Sequence, residues 1–296
     1  VSSAGTGTIV LGVGDDWQLT SKRLMIPEPC QLYREVEMGE PQVVSFASGT
    51  VAVFSASKPT TDGPNEDAAA LFHLGPERGV LVVADGAGGM RSGNRASSIA
   101  LDAMKETASQ ANGSEASLRA AVLNGFELAN EKILDSGAGS ATTLAVATIE
   151  NNLVRCYHAG DSMVLVTGQR GRVKLLTTSH SPVGYGVEAG LIDEDKALGH
   201  DQLHLVSNLV GCNDMHIELG PTRPLNTFDT VLIASDGVCD NLHLDEIIDI
   251  VRKGKLKEVA QTLVERCRKR MAGENGDEPN KPDDFTFILY RPRSDS

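Results

Sequence analysis

Residues 142–176 read TTLAVATIENNLVRCYHAGDSMVLVTGQRGRVKLL. Four short β-branched and aliphatic runs, 142–149, 153–159, 163–167 and 172–176, follow one another there with only brief polar or glycine-containing breaks. Each has the length and composition of a strand. Runs of the same kind lie outward at 50–56 (TVAVFSA), 79–84 (GVLVVA), 230–234 (TVLIA) and 285–290 (FTFILY). Helical spacing is confined to other places. Ala96, Ile99, Ala100, Ala103 and Met104 form one apolar stripe, and Leu118, Val122, Phe126, Ala129 and Ile133 form another. A third runs through Val259, Leu263, Cys267 and Met271. Strands in direct succession, with helices paired between them, predict an α+β sandwich and argue against a doubly wound sheet.

The ends of the chain are less regular. Residues 1–45 carry Gly5, Gly7, Gly12 and Gly14 and then Pro27, Pro29 and Pro41 among short apolar stretches, and read as an extension or edge element. Residues 46–296 then form the main domain. The polar stretch 272–284 (AGENGDEPNKPDD) reads as a mobile loop.

Bulk properties bound the function. With 296 residues, 41% of them hydrophobic, the chain can bury a substantial core. A net charge of −13 and only 4% aromatic residues disfavour nucleic acid and anionic membranes as partners. The basic residues Arg266, Arg268, Lys269 and Arg270 close a helical pattern and read as a solvated helix C-terminus. Five widely spaced cysteines (Cys30, Cys156, Cys212, Cys239, Cys267) with no C-x-x-C pair suggest a reducing compartment, and a cytoplasmic location is expected. No apolar run approaches the length of a membrane span.

The carboxylates fall at strand ends. Run 79–84 ends in Asp85-Gly86, run 153–159 leads through Gly160 to Asp161, run 230–234 ends in Ser235-Asp236-Gly237, and Asp283-Asp284 precede run 285–290. Strand ends of a layered sheet converge on one rim, so these groups can meet although they are distant in sequence. An acidic cluster is costly unless cations neutralise it. Hard divalent ions such as Mg²⁺ or Mn²⁺ take oxygen ligands, and a pair of them can activate a water and clamp an in-line displacement. Any single Asp-Gly after a strand is ordinarily a turn. Together with Asn65-Glu66-Asp67 the set points to a metal site anchored by Asp85, Asp236 and Asp283.

In order along residues 50 to 291, the motifs Asn65-Glu66-Asp67, Val83-Ala84-Asp85-Gly86-Ala87-Gly88-Gly89, Gly139-Ser140-Ala141-Thr142, Gly160-Asp161-Ser162, Ser235-Asp236-Gly237 with Asp240, and Asp283-Asp284-Phe285-Thr286 resemble those of a known family. It is the PPM or type 2C class of metal-dependent protein serine/threonine phosphatases. The resemblance implies a central antiparallel β-sandwich flanked by pairs of helices in αββα layers. It also implies two Mn²⁺ or Mg²⁺ ions, with Asp85 bridging them, the Gly86 carbonyl on one, Asp236 on the first and Asp283 on the second. Glu66 and Asp67 would orient metal-bound waters, and Asp161 with Asp240 would form a weaker third site. A metal-bound hydroxide would attack the phosphorus of phosphoserine or phosphothreonine in a phosphoprotein directly.

Two positions depart from the pattern. Asp62 stands where such proteins commonly place a phosphate-gripping arginine, with Arg91 and Arg95 as candidate substitutes. Ala87 stands where many eukaryotic relatives carry a histidine, which suggests a bacterial type. Loss of the arginine leaves a second reading, a catalytically silent binding or scaffold protein on the same fold. His158 reads as a packed core residue and Cys239 as an inert thiol, while residues 180–226 occupy the place of the family's variable flap.

Overall fold

The computed structural model describes residues 29–59, 63–87, 92–111, 114–274, 276, 278 and 280–293. Along the chain come β1 (Cys30–Arg34), β2 (Gln42–Phe46), β3 (Gly49–Ala56), β4 (Ala68–Gly75), β5 (Arg78–Ala84) and β6 (Gly86–Ala87), then α1 (Gly93–Ala108) and α2 (Glu115–Asp135). Four strands succeed one another next, after the short β7 (Ala141–Thr142): β8 (Leu144–Glu150), β9 (Leu153–Ala159), β10 (Met163–Thr167) and β11 (Val173–Leu176). The excursion that follows holds α3 (Pro182–Glu188), α4 (Glu194–Ala197), β12 (Glu218–Leu219) and β13 (Arg223–Pro224). The chain closes with β14 (Thr230–Ala234), α5 (Asp236–Cys239), α6 (Leu244–Val251), α7 (Leu256–Met271) and β15 (Phe285–Pro292).

Two antiparallel sheets form, one in the order β1-β4-β5-β8-β9-β12, with β13 also on β9, and the other β11-β10-β14-β15-β3-β2. The period of two along each strand sorts side chains between layers. In β5, Val80, Val82 and Ala84 face the α1–α2 pair while Leu81 and Val83 face the opposite sheet. In β15, Ile288 and Tyr290 enter that same central core, and Phe285, Phe287 and Leu289 turn to α6 and α7. Both faces of each sheet are therefore covered, which is why the strands read as continuous apolar runs instead of alternating ones. The expected helix, sheet, sheet, helix layering is present.

Several local expectations need correction. β4 (AAALFHLG) lies in the middle of its sheet, between β1 and β5, yet has no β-branched residue to signal a strand. Within residues 1–45, Cys30–Arg34 and most of Gln42–Phe46 are edge strands of the two sheets, and residues 1–28 lie outside the described part. Arg270 is not solvated: it is 3% exposed and its Nη2 lies 2.9–3.0 Å from both carboxylate oxygens of Glu246. The end of the presumed loop, residues 281–284, is bonded closely to the rest of the protein. Cys156, Cys212, Cys239 and Cys267 form no disulfide, and among the described residues no helix is long and apolar enough to cross a membrane.

Candidate metal centre

The carboxylates meet at one end of the sandwich because each leaves a strand there. Asp85 follows β5 and is held by the backbone of the β7–β8 junction. Its N–H donates to Thr143 Oγ1 at 3.0 Å, and its carbonyl accepts from the Thr143 N–H and from Thr142 Oγ1, each at 2.8 Å. Asp161 follows β9 through Gly160, whose φ of +112° suits glycine, and a Cβ there would sit 2.6 Å from Thr143 Cβ. Asp236 opens α5 directly after β14, and Asp240 closes it, its N–H donating to the Asp236 carbonyl at 2.7 Å. Asp283 precedes β15.

Ser235 ties two of these strands to Asp67. Its hydroxyl donates to Asp67 Oδ2 at 2.7 Å, and its Oγ accepts the Thr286 N–H at 3.0 Å. Asn65 supports the same corner by accepting the Asp67 N–H and donating to Ser55 Oγ and the Val36 carbonyl. Asp284 acts beside it, with Oδ2 accepting the Glu66 N–H at 2.7 Å and Oδ1 the Lys58 N–H at 2.8 Å. Asp284, Ser235 and Asn241 were not singled out from sequence as site residues. Polar residues beside the clustered aspartates were the available signal.

The electrostatics follow from packing like charges together. Burial, then the charge of Asp236, pushes the carboxyls of Asp161, Asp240 and Asp283 up, Asp161 to about 7 and Asp240 to about 8. Asp85 is raised by burial and then by Asp236, Asp67, Asp161 and Asp283. Asp67 is raised chiefly by burial, against the opposing hydrogen bond from Ser235, and Glu66 by burial and then Asp284. Asp67 Oδ1 is buried and has no hydrogen-bond partner among the described residues. Lys281 stands among them: its Nζ contacts Asp236 Oδ2 and lies 2.8 Å from Asp240 Oδ2 and 3.4 Å from Asp283 Oδ2. A surplus of hard oxygen donors and an orphaned carboxylate oxygen suit a divalent-ion site. The residues present fit such ions.

The glycine after Asp85 has a packing reason. A Cβ on Gly86 would lie 2.3 Å from the Gly93 backbone and 2.8 Å from the Glu66 carbonyl, so its absence lets the start of α1 press against the Asp85 turn. Arg95 is exposed on α1, while Asp62, Gly88, Gly89 and Arg91 lie outside the described residues.

His158, His180 and Glu218 form a second cluster with metal-like composition. Its hydrogen bonds argue otherwise. His180 Nδ1 accepts the Gly160 N–H at 3.1 Å and an Asn208 amide hydrogen at 2.8 Å, so its proton sits on Nε2, which donates to Glu218 at 3.2 Å. His158 Nε2 faces the Thr178 carbonyl at 2.9 Å and is a donor too. Neither Nε2 has a free lone pair, and burial keeps both rings neutral by lowering their pKa values. The cluster is structural: it fastens the 180–226 excursion to Gly160, the residue before Asp161. Cys239 is part-buried, and burial with neighbouring carboxylates pushes its thiol well up, as an inert thiol requires.

Beside Asp161 and Asp240 opens a groove of about 560 Å³ between the excursion and α5–α6. Leu176, Val183, Leu198 and Leu203 line it with apolar surface, and Glu188, Glu194, Asp195 and Asp245 add negative charge.

Comparison with known proteins places this arrangement. Residues 56–274 match the sequence model described as Protein phosphatase 2C. A putative protein phosphatase 2C-type from Streptococcus pyogenes serotype M6 is 31% identical over 205 residues, covering 66% of this chain and 82% of that one. The serine/threonine phosphatase of S. agalactiae superposes with a TM-score of 0.70 at 24% identity, over 81% of this chain and 98% of its own. The catalytic domain of the serine threonine protein phosphatase PstP, solved in complex with two manganese ions, does so with a TM-score of 0.62 at 23% identity, over 81% and 96%.

Proposed function

The chain belongs to the protein phosphatase 2C family, whose members are metal-dependent serine/threonine phosphatases, and we propose that it hydrolyses phosphoserine and phosphothreonine in proteins at the Asp85 cluster. The observation that carries this reading is the convergence of Asp67, Asp85, Asp161, Asp236, Asp240 and Asp283 at one end of the sandwich, where burial and mutual charge raise the carboxyls of Asp67, Asp85, Asp161, Asp240 and Asp283. In this assignment Asp85 and the Gly86 carbonyl, with Asp236 and Asp283, would hold two Mn²⁺ or Mg²⁺ ions, Asp236 serving one and Asp283 the other, and Asp161 with Asp240 would hold a weaker third. The ions supply a lowered pKa for the attacking water and charge neutralisation at the phosphoryl oxygens.

The protein's own groups do the rest. Glu66 and Asp67, fixed through their N–H groups by Asp284 and Asn65, accept hydrogen bonds from the attacking water and orient it. Asp67 Oδ1, otherwise unpartnered, is the acceptor with capacity to spare. The polypeptide on either side of the phosphorylated residue lies in the groove beside Asp161 and Asp240, whose acidic residues favour basic neighbours. The domain includes the strands from Cys30 onward, since they complete both sheets. A scaffold role finds no support in the relatives, and a silent member has no reason to keep every carboxylate.

Turnover of an aryl phosphate and of a phosphothreonine peptide tests the assignment. Hydrolysis should require added Mn²⁺ or Mg²⁺, stop with a chelator, and fall at least about a hundredfold in Asp236→Asn, beyond the effect typical of losing an outer-shell partner. Absence of metal-dependent turnover on any phosphoester would remove the reading.

A further inference from the structure

Lys281 is built into the carboxylate cluster from its backbone outward. Its N–H donates to Asn241 Oδ1 at 2.9 Å, and Asn241 Nδ2 returns a bond to the Lys281 carbonyl at 2.8 Å. The same amide donates to the Gly237 carbonyl at 3.0 Å, and Asn241 is fully buried. The root of Lys281 is thereby tied to the helical turn that carries Asp236 and Asp240, and Pro282 stiffens the chain on the other side. What remains free is the four-carbon stem. Its ammonium touches Asp236, Asp240 and Asp283 while the side chain keeps 30% of its surface exposed, so a path to solvent is open.

An ammonium and a divalent ion compete for Asp236 Oδ2. Both need its lone pairs, and at contact distance in a part-buried pocket their repulsion is strong. We propose that Lys281 is a tethered counter-cation that competes with divalent ions for Asp236, Asp240 and Asp283, so that an ion loads only as the ammonium swings out. The lysine compensates carboxylates that would otherwise repel one another, and in doing so it weakens the protein's apparent affinity for the ion. This proposal rests on the phosphatase reading only for which carboxylates hold the ions.

The test compares the full chain with Lys281→Met, which keeps the stem and removes the charge, and Lys281→Arg, which keeps the charge. Mn²⁺ binding is measured by titration calorimetry at fixed ionic strength. Lys281→Met should bind at least about tenfold more tightly and melt at a lower temperature in chelator, whereas Lys281→Arg should stay within a few-fold of the wild type. Should the Met variant fail to fold without metal, it is prepared in Mn²⁺ and its affinity read by competition against a calibrated chelator. In the wild type, acylation of the Lys281 amine, followed by mass spectrometry, should rise when Mn²⁺ is added. Equal or weaker Mn²⁺ binding in Lys281→Met, or acylation that falls on adding Mn²⁺, would overturn the proposal. A wild type without phosphatase turnover would sink the functional reading and leave this ordering of affinities untouched.

Discussion

Ser235 shows how much of the centre depends on a residue that never touches a candidate ion. One hydroxyl joins β14 to β15 through the Thr286 N–H and fixes Asp67 through Oδ2, and all three residues are buried. Ser235→Ala leaves a buried N–H and a buried carboxylate oxygen without partners, which costs about 1–3 kcal/mol by the usual penalty for an unmet buried group. Denaturant unfolding should show that loss, and calorimetry should show Mn²⁺ bound roughly ten- to a hundredfold more weakly, as when outer-shell partners are removed. Unchanged affinity would mean that Asp67 needs no anchoring. At this scale the clustering of the aspartates was legible, because an acidic residue at a strand end has a recognisable place in the sequence. Ser235 and Lys281 were not. A serine beside an aspartate looks like any turn residue, and a lysine in a polar stretch looks solvated until the fold brings Asp236 to it.

The elements divide in the same way. The aliphatic and β-branched runs that became β3, β5, β8, β9, β10, β11, β14 and β15 declared themselves through composition. β4 did not, because Ala68, Ala69 and Ala70 favour helix intrinsically. Small side chains suit that strand, which lies under α1 on one face and against the second sheet on the other. α4 could not be read from sequence either, four residues being too few for a periodic pattern. Its Glu194 and Asp195 are exposed at the groove beside Asp161. Reversing both to lysine should lower kcat/KM for phosphopeptides with flanking basic residues by about five- to tenfold at low salt, an effect of charge complementarity that salt erodes. Aryl phosphate, too small to reach α4, should be hydrolysed at the wild-type rate. An equal loss on both substrates would place the groove outside substrate binding.

Across the whole molecule, the cluster imposes a conflict between folding and ion binding that pH exposes. Burial and mutual repulsion raise Asp240 to about 8 and Asp161 to about 7, and also raise Asp67, Asp85 and Asp283, above the ordinary carboxylate value near 3.9 that the unfolded chain retains. The native state therefore binds more protons than the unfolded one in this range, and the stabilisation from those protons disappears as pH rises through the folded values. Half-buried His73 and buried His158 and His180 act with the opposite sign, since their lowered values remove stability as pH falls through about 6.5. Between pH 7 and 8.5 the carboxylates dominate. With chelator present, the melting temperature should fall across that interval. Ion binding needs the carboxylates ionised and displaces their protons, so the increase in melting temperature on adding saturating Mn²⁺ should grow over the same interval. Thermal unfolding of chelated and Mn²⁺-loaded samples at matched ionic strength reads both trends. A chelated protein whose melting temperature is flat or rising from pH 7 to 8.5, together with a Mn²⁺ increment independent of pH, would show that the aspartates are not in repulsive contact and that the pocket is not held ready for divalent ions.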